Sequence, residues 1–156
     1  VSNEPANPKA PPRIGARRHA RECALQLLYQ LDGRSPPGGD PGLSDTLAVF
    51  WAHLDPEAVE NRQTTEYAEE LVRGTLEHGP EIDAAIEAVA QHWRMDRMAR
   101  VDRNILRLAT YELLHSRVDA RIVINEAVEL AKGFGTEESG SFVNGVLDRV
   151  AETSVP

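Results

Sequence analysis

Four arginines stand within the nine positions Arg13 to Arg21 at the head of RIGARRHARECALQLLYQL. They are Arg13, Arg17, Arg18 and Arg21, with His19 among them and no acid before Glu22. The whole chain carries a net charge of −8, so this concentration runs against its background. Such a group at a helix start binds anions, because free N–H groups and the helix dipole add to the guanidinium charge. The anion expected is phosphate. At 100° per residue Arg18, Glu22, Leu25 and Tyr29 share one stripe of the same helix. A guanidinium and a phenol on one exposed face can hold a phosphate and stack on an unpaired base. A second reading stays open, in which Leu25 and Tyr29 pack on a neighbouring helix while Arg18 pairs with Glu22. For the arginine cluster as a whole, local pairing is poorly supplied, since few acids lie nearby in the sequence.

Other chemistry is sparse. His19, His53, His78, His92 and His115 are scattered, with no HExxH and no metal-ligand spacing, so no cofactor and no enzyme activity are expected. The lone Cys23 reads as structural. A second basic series, Arg94, Arg97, Arg100, Arg103 and Arg107, reads as a solvated helical surface with Asp96 and Asp102 as local partners. Near the other end, Glu137 to Ser141 open a helix whose small residues and free N–H groups could admit a nucleotide, with Phe142 beside its buried stripe.

The elements that must position these residues are all helical. Ala20, Ala24, Leu27, Leu28 and Leu31 recur at helical spacing and form the buried stripe of a first helix. Ser35-Pro36-Pro37-Gly38-Gly39 follows as a loop. Further helices are expected over Leu43–Leu54, from about Thr65 to Gly79, from Pro80 through Trp93, over Met98–Ser116, over Ile124–Phe134, and from Thr136 onward. The fifth is apolar around much of its circumference and should be central. Gly135 should end the sixth as a left-handed residue and Thr136 should cap the seventh. No period-two run of useful length appears. The reading is an all-α domain of about seven helices over 15–152, with a disordered leader at 1–14 and a tail at 153–156.

Composition agrees: 41% hydrophobic, 27% charged and 5% aromatic residues describe an ordinary globular chain that favours helix over sheet. A single cysteine, no membrane-length apolar run and no signal-like start point to a cytoplasmic protein. The charge is divided. Residues 1–34 carry six Lys/Arg against three acids, while residues 55–90 carry ten acids against Arg62 and Arg73. A basic footprint for nucleic acid on one side and an acidic surface elsewhere follow, the latter serving either partners or solubility.

Three blocks, ARECALQLLYQ (20–30), DRNILRLATYELL (102–114) and INEAVELAKGFGTEESGSFVNGVLD (124–148), resemble the bacterial transcription antitermination factor family NusB. The resemblance implies a single all-α domain in two small subdomains. It implies binding of the boxA element of ribosomal RNA leader transcripts together with NusE, a small-subunit ribosomal protein, in a complex that helps RNA polymerase read through terminators. RNA contacts are implied at Arg17, Arg18, Arg21 and Tyr29, more weakly at Arg13, and at Glu138, Ser139 and Phe142. Asp102 and its polar neighbours are implied for NusE. Gly140, where relatives often have a longer polar residue, and His19 depart from the pattern. Some relatives dimerise, so a homodimer is a further expectation. The competing reading is a helical adaptor whose acidic surface binds basic partners, with RNA incidental.

Overall fold

A computed structural model describes residues 14–54 and 61–154. The expected leader up to Arg13, the punctuation at Asp55-Pro56 and the last two residues of the tail lie outside these. Seven α-helices occupy the described residues: α1 Ile14–Leu31, α2 Gly39–Ala52, α3 Arg62–Glu77, α4 Gly79–Val89, α5 Arg100–His115, α6 Ala120–Phe134 and α7 Ser139–Ser154. A short 3-10 turn, Met95–Arg97, precedes α5, and the described residues hold no strand.

The apolar stripes do the work expected of them. Ala20, Ala24, Leu27 and Leu28 of α1 are wholly buried, and α1 packs chiefly on α3. Helices α6 and α7 form the other close pair, and α5 touches α1, α3, α4, α6 and α7. The run Asn104–Leu106 and Leu108–Glu112 of α5 is buried, so this helix is the axis of the fold. One continuous cluster, from Ala24 through Leu106 and Ile105 to Val150, joins the two halves. Cys23 sits with Ala20 and Ala68 in a smaller cluster, and burial beside Glu22 pushes its thiol up to about 11. No helix among the described residues is long and apolar enough to cross a membrane.

Several details differ from the sequence reading: α3 starts at Arg62 and not Thr65, α4 ends at Val89 and not Trp93, α5 starts at Arg100 and not Met98, and three further differences have a local reason. Helix α2 starts at Gly39, four residues early, because Pro41 falls in its first turn, where an N–H has no helical partner to lose. Helix α6 starts at Ala120, because the Asp119 carboxylate accepts the Arg121 N–H at 2.8 Å. Gly135 is extended, at φ −102°, rather than left-handed. It is required instead by close approach, since a Cβ there would lie 2.4 Å from Ser139 Oγ and 2.8 Å from the Ala131 carbonyl.

Candidate nucleic-acid interface

The arginines of α1 do find acids, but on other helices. Arg21 is buried at 3% exposure and donates from Nε and Nη2 to the two oxygens of Glu112 on α5, at 2.8 and 2.9 Å. Its Nη1 lies 3.5 Å from Glu126 of α6. Glu112, itself 1% exposed, also accepts the Tyr67 hydroxyl at 2.6 Å. Burial opposes the Arg21 charge, and Glu112 outweighs it, so its pKa rises. Burial and the Glu112 charge together push the Tyr67 phenol well above its ordinary range. The paired guanidinium and carboxylate satisfy one another inside the protein, which is what makes two buried charges tolerable.

One turn earlier, Arg18 donates to Glu126 at 2.7 and 3.3 Å while about half of its side chain stays in solvent. Arg17 is exposed, lies over the Tyr67 ring at 5.2 Å, and takes no carboxylate among the described residues. In place of the Arg18–Glu22 pair of the second reading, the partner of Arg18 lies 108 positions away in sequence. The premise that Arg21 lacks acids is corrected: this residue ties α1 to α5 and α6, and its guanidinium faces inward. His19, within the same run, has a buried Nε2 with no hydrogen-bond partner among the described residues.

A cleft of about 170 Å³ opens beside these groups, lined by Arg18, Arg21, Glu22, Glu126, Leu130 and Phe134 among others. Phe134, at the end of α6, is 44% exposed. Sequence reasoning passed over it, because at 100° per residue it continues the side of Ala127 and Ala131 and reads as core, and its exposure was the missing fact.

The remaining candidates fall in other places. Tyr29 is 41% exposed and lies under the Arg100 guanidinium at 4.8 Å. It is at the far end of α1 from Arg17 and Arg18, about 17 Å away at 1.5 Å per residue. Its stripe-mate Leu25 is in the core. At the α7 start Glu138 is exposed and accepts the Thr136 hydroxyl at 3.2 Å. Ser139 is buried, its Oγ accepting the Thr136 N–H at 2.9 Å, the return leg of a capping box, while the Thr136 hydroxyl donates to Glu138. Phe142 is half-buried, edge-on to Trp93 with ring centroids 5.4 Å apart.

The second basic series is not merely solvated. Arg100, Arg103 and Arg107 converge on Asp32, which follows α1 in a left-handed conformation at φ 45°. Arg103 Nε donates to Asp32 Oδ1 at 2.8 Å and its Nη2 to Oδ2, while Asn104 Nδ2 donates at 2.9 Å. The Arg103 hydrogen bond, against the cost of burial, holds the Asp32 carboxyl well below the usual range. Asp102 takes no part in this hub; its Oδ1 is buried without a hydrogen-bond partner among the described residues. Arg94 and Asp96 do pair, at 3.2 Å.

An all-helical domain with a basic helix end pinned over two acid-bearing helices is the class these features define. The family model described as NusB family matches residues 18–152. Over 140 residues, 90% of this chain and 93% of the relative, the sequence is 52% identical to the transcription antitermination protein NusB of Anaeromyxobacter dehalogenans. The solved structure of T. maritima NusB superposes with a TM-score of 0.73 at 36% identity, covering 90% of this chain and 93% of that one. A structure of antitermination factors NusB and NusE in complex with dsRNA gives a TM-score of 0.69 at 35% identity, covering 90% and 98%. The chain belongs to the NusB family.

Proposed function

We propose that this chain is a non-catalytic RNA-binding factor of transcription antitermination. It takes the boxA element of ribosomal RNA leader transcripts together with NusE and helps RNA polymerase pass terminators. The relatives named for antitermination, and the NusB–NusE–dsRNA assembly among the structural neighbours, support this reading. The observation that carries it is the placement of accessible cation beside an exposed aromatic. Arg17 and the outer half of Arg18 stand at the α1 end, and Phe134 lies in the same cleft as Arg18. In this reading Arg17 and Arg18 neutralise phosphate, with Arg13 extending the track. Phe134 and Phe142 offer faces on which bases stack. Glu138 can accept from base edges, while Arg21 and Ser139 hold α1 and the α7 start in place.

The NusE surface in this reading lies at the start of α5, around Asp102 and its polar neighbours. Asp102 supports it as a partly exposed acid of the first turn of α5 that enters no ion pair among the described residues, and so can meet a basic partner. A homodimer in which a second copy covers the RNA surface of α1 is the inactive alternative in this reading.

Titration of boxA and of a scrambled RNA at two salt concentrations, with and without NusE, tests the proposal. Arg17→Ala should weaken boxA binding and lower the salt slope by about 0.7, the value for one phosphate on a single strand. Its stability should stay within about 0.5 kcal/mol of the parent. NusE should raise boxA affinity, and boxA should raise NusE affinity by the same factor. Equal binding of boxA and scrambled RNA, with an unchanged slope in the variant, would favour the adaptor reading and remove this one.

A further inference from the structure

Two histidines that stand far apart in the sequence meet in the fold. His78 lies between α3 and α4, ending one and opening the other, and Glu81 is in the first turn of α4. His115 is the last residue of α5. The two imidazoles stack with centroids 3.9 Å apart, and the Tyr111 ring lies alongside both, 6.1 Å from His78 and 5.7 Å from His115. Tyr111 reaches this position because Gly74 has no side chain; a Cβ there would lie 2.1 Å from the ring. Glu81 Oε2 is 3.1 Å from His115 Nε2 and 3.5 Å from His78 Nδ1. One ligand atom from each of the three residues lies within 4.8 Å of the others.

We propose that His78, Glu81 and His115 form a binding site for a divalent transition-metal ion of the Zn²⁺ type. Two imidazole nitrogens and a carboxylate oxygen suit Zn²⁺, Ni²⁺, Cu²⁺ or Co²⁺ and are unsuited to Mg²⁺ or Ca²⁺, which take oxygen ligands. Metal–ligand bonds of 2.0–2.1 Å around a tetrahedral ion place neighbouring ligand atoms about 3.3 Å apart. The two N···O separations, 3.1 and 3.5 Å, bracket that edge. The nitrogen–nitrogen edge needs one ring to turn out of the stack so that both lone pairs point at the ion. The side chains are free to do so, being 34%, 53% and 27% exposed for His78, Glu81 and His115. His115 stands at a helix C-terminus, where the dipole favours a cation. The fourth position faces water. Bound there, the ion would join the α3–α4 turn to the end of α5, and none of its ligands is shared with the proposed RNA surface.

The full chain, free of any affinity tag, should bind one equivalent of Zn²⁺ by calorimetric titration. At a Zn²⁺ concentration one hundred times the Kd, Tm should rise by about 5–10 °C. His115→Gln and Glu81→Gln should each weaken binding at least about tenfold and shrink that rise, with unchanged circular dichroism. The double variant His78→Gln/His115→Gln should bind no Zn²⁺. One-equivalent binding retained by the double variant would assign the ion to His19, His53 or His92 and overturn the proposal. Failure of the parent chain to bind Zn²⁺ more tightly than the double variant would overturn it as well. Either result leaves the RNA reading untouched.

Discussion

Replacing Glu112 by Gln keeps the shape of the buried ion pair and removes half of its charge. Arg21 and Glu112 are 4% and 1% exposed at the side chain, and their two hydrogen bonds of 2.8 and 2.9 Å lie in the junction of α1, α3, α5 and α6. Breaking such a pair from one side costs about 3–5 kcal/mol, because the surviving charge remains buried. Arg21 keeps Glu126 at 3.5 Å, so Glu112→Gln should fall at the lower end, about 3 kcal/mol. Arg21→Met should cost more, since it leaves the Glu112 carboxylate with only the Tyr67 hydroxyl. The double variant buries two neutral side chains, and the Gln carbonyl can still accept from Tyr67. Its cost should fall at least about 1.5 kcal/mol short of the sum of the singles.

Urea unfolding of the parent, both singles and the double measures this directly, with an unchanged m-value confirming that only stability moved. For a chain of this length, about 3 kcal/mol lowers Tm by about 6–12 °C. Added salt should leave the difference nearly constant, because a buried pair is little screened. A loss below about 1 kcal/mol for Glu112→Gln, or additivity within about 0.5 kcal/mol, would refute the assignment of Arg21 to the interior.

Two further outcomes follow from other contacts. Gly74→Ala should destabilise by about 1–3 kcal/mol in spite of the helix propensity it gains, because its Cβ would land 2.1 Å from the Tyr111 ring; a raised Tm would contradict this packing. Asp32, whose carboxyl is held low by Arg103, should stabilise fully above its unfolded pKa of about 3.9 and progressively less as pH falls below it, since there the unfolded chain binds more protons. Asn tolerates the left-handed backbone, so the parent-minus-Asp32→Asn stability difference, measured by urea unfolding, should be flat above about pH 5 and shrink by pH 3; a difference that grows on acidification would contradict the hub.

What the sequence made legible was periodic. Seven helices, the central place of α5 and the buried stripe of α1 follow from apolar residues at 3.6-residue spacing, a local quantity. Caps were half legible: Asp119 has the right residue type, yet only the fold decides that its carboxylate meets Arg121 N–H. Charge pairing was not legible. Arg18 and Glu126 are 108 positions apart, Arg21 and Glu112 91, and Arg103 and Asp32 71. Whether such groups meet depends on the axial and rotational register of separate helices, about which periodicity is silent. The same gap hid His78 beside His115, although Glu81, three residues after His78 on the α4 entry, was a weak local hint.

That register changes how the basic head of α1 can attract RNA. Arg21 is spent on Glu112, and Arg18 is partly neutralised by Glu126, so of the described α1 arginines only Arg17 offers a full charge to phosphate. The two described contacts, from Arg17 and Arg18, correspond to a salt slope of about −1.4 on a single strand. Attraction of that size is too small to hold a transcript by charge alone against a chain of net charge −8. In the function proposed above, the remaining affinity is assigned to stacking at Phe134 and Phe142 and to a joint surface with NusE. A steeper slope for the full chain would place the missing contacts outside the described residues, at Arg13 first. Arg13→Ala should then reduce the slope where Phe134→Ala weakens binding without changing it.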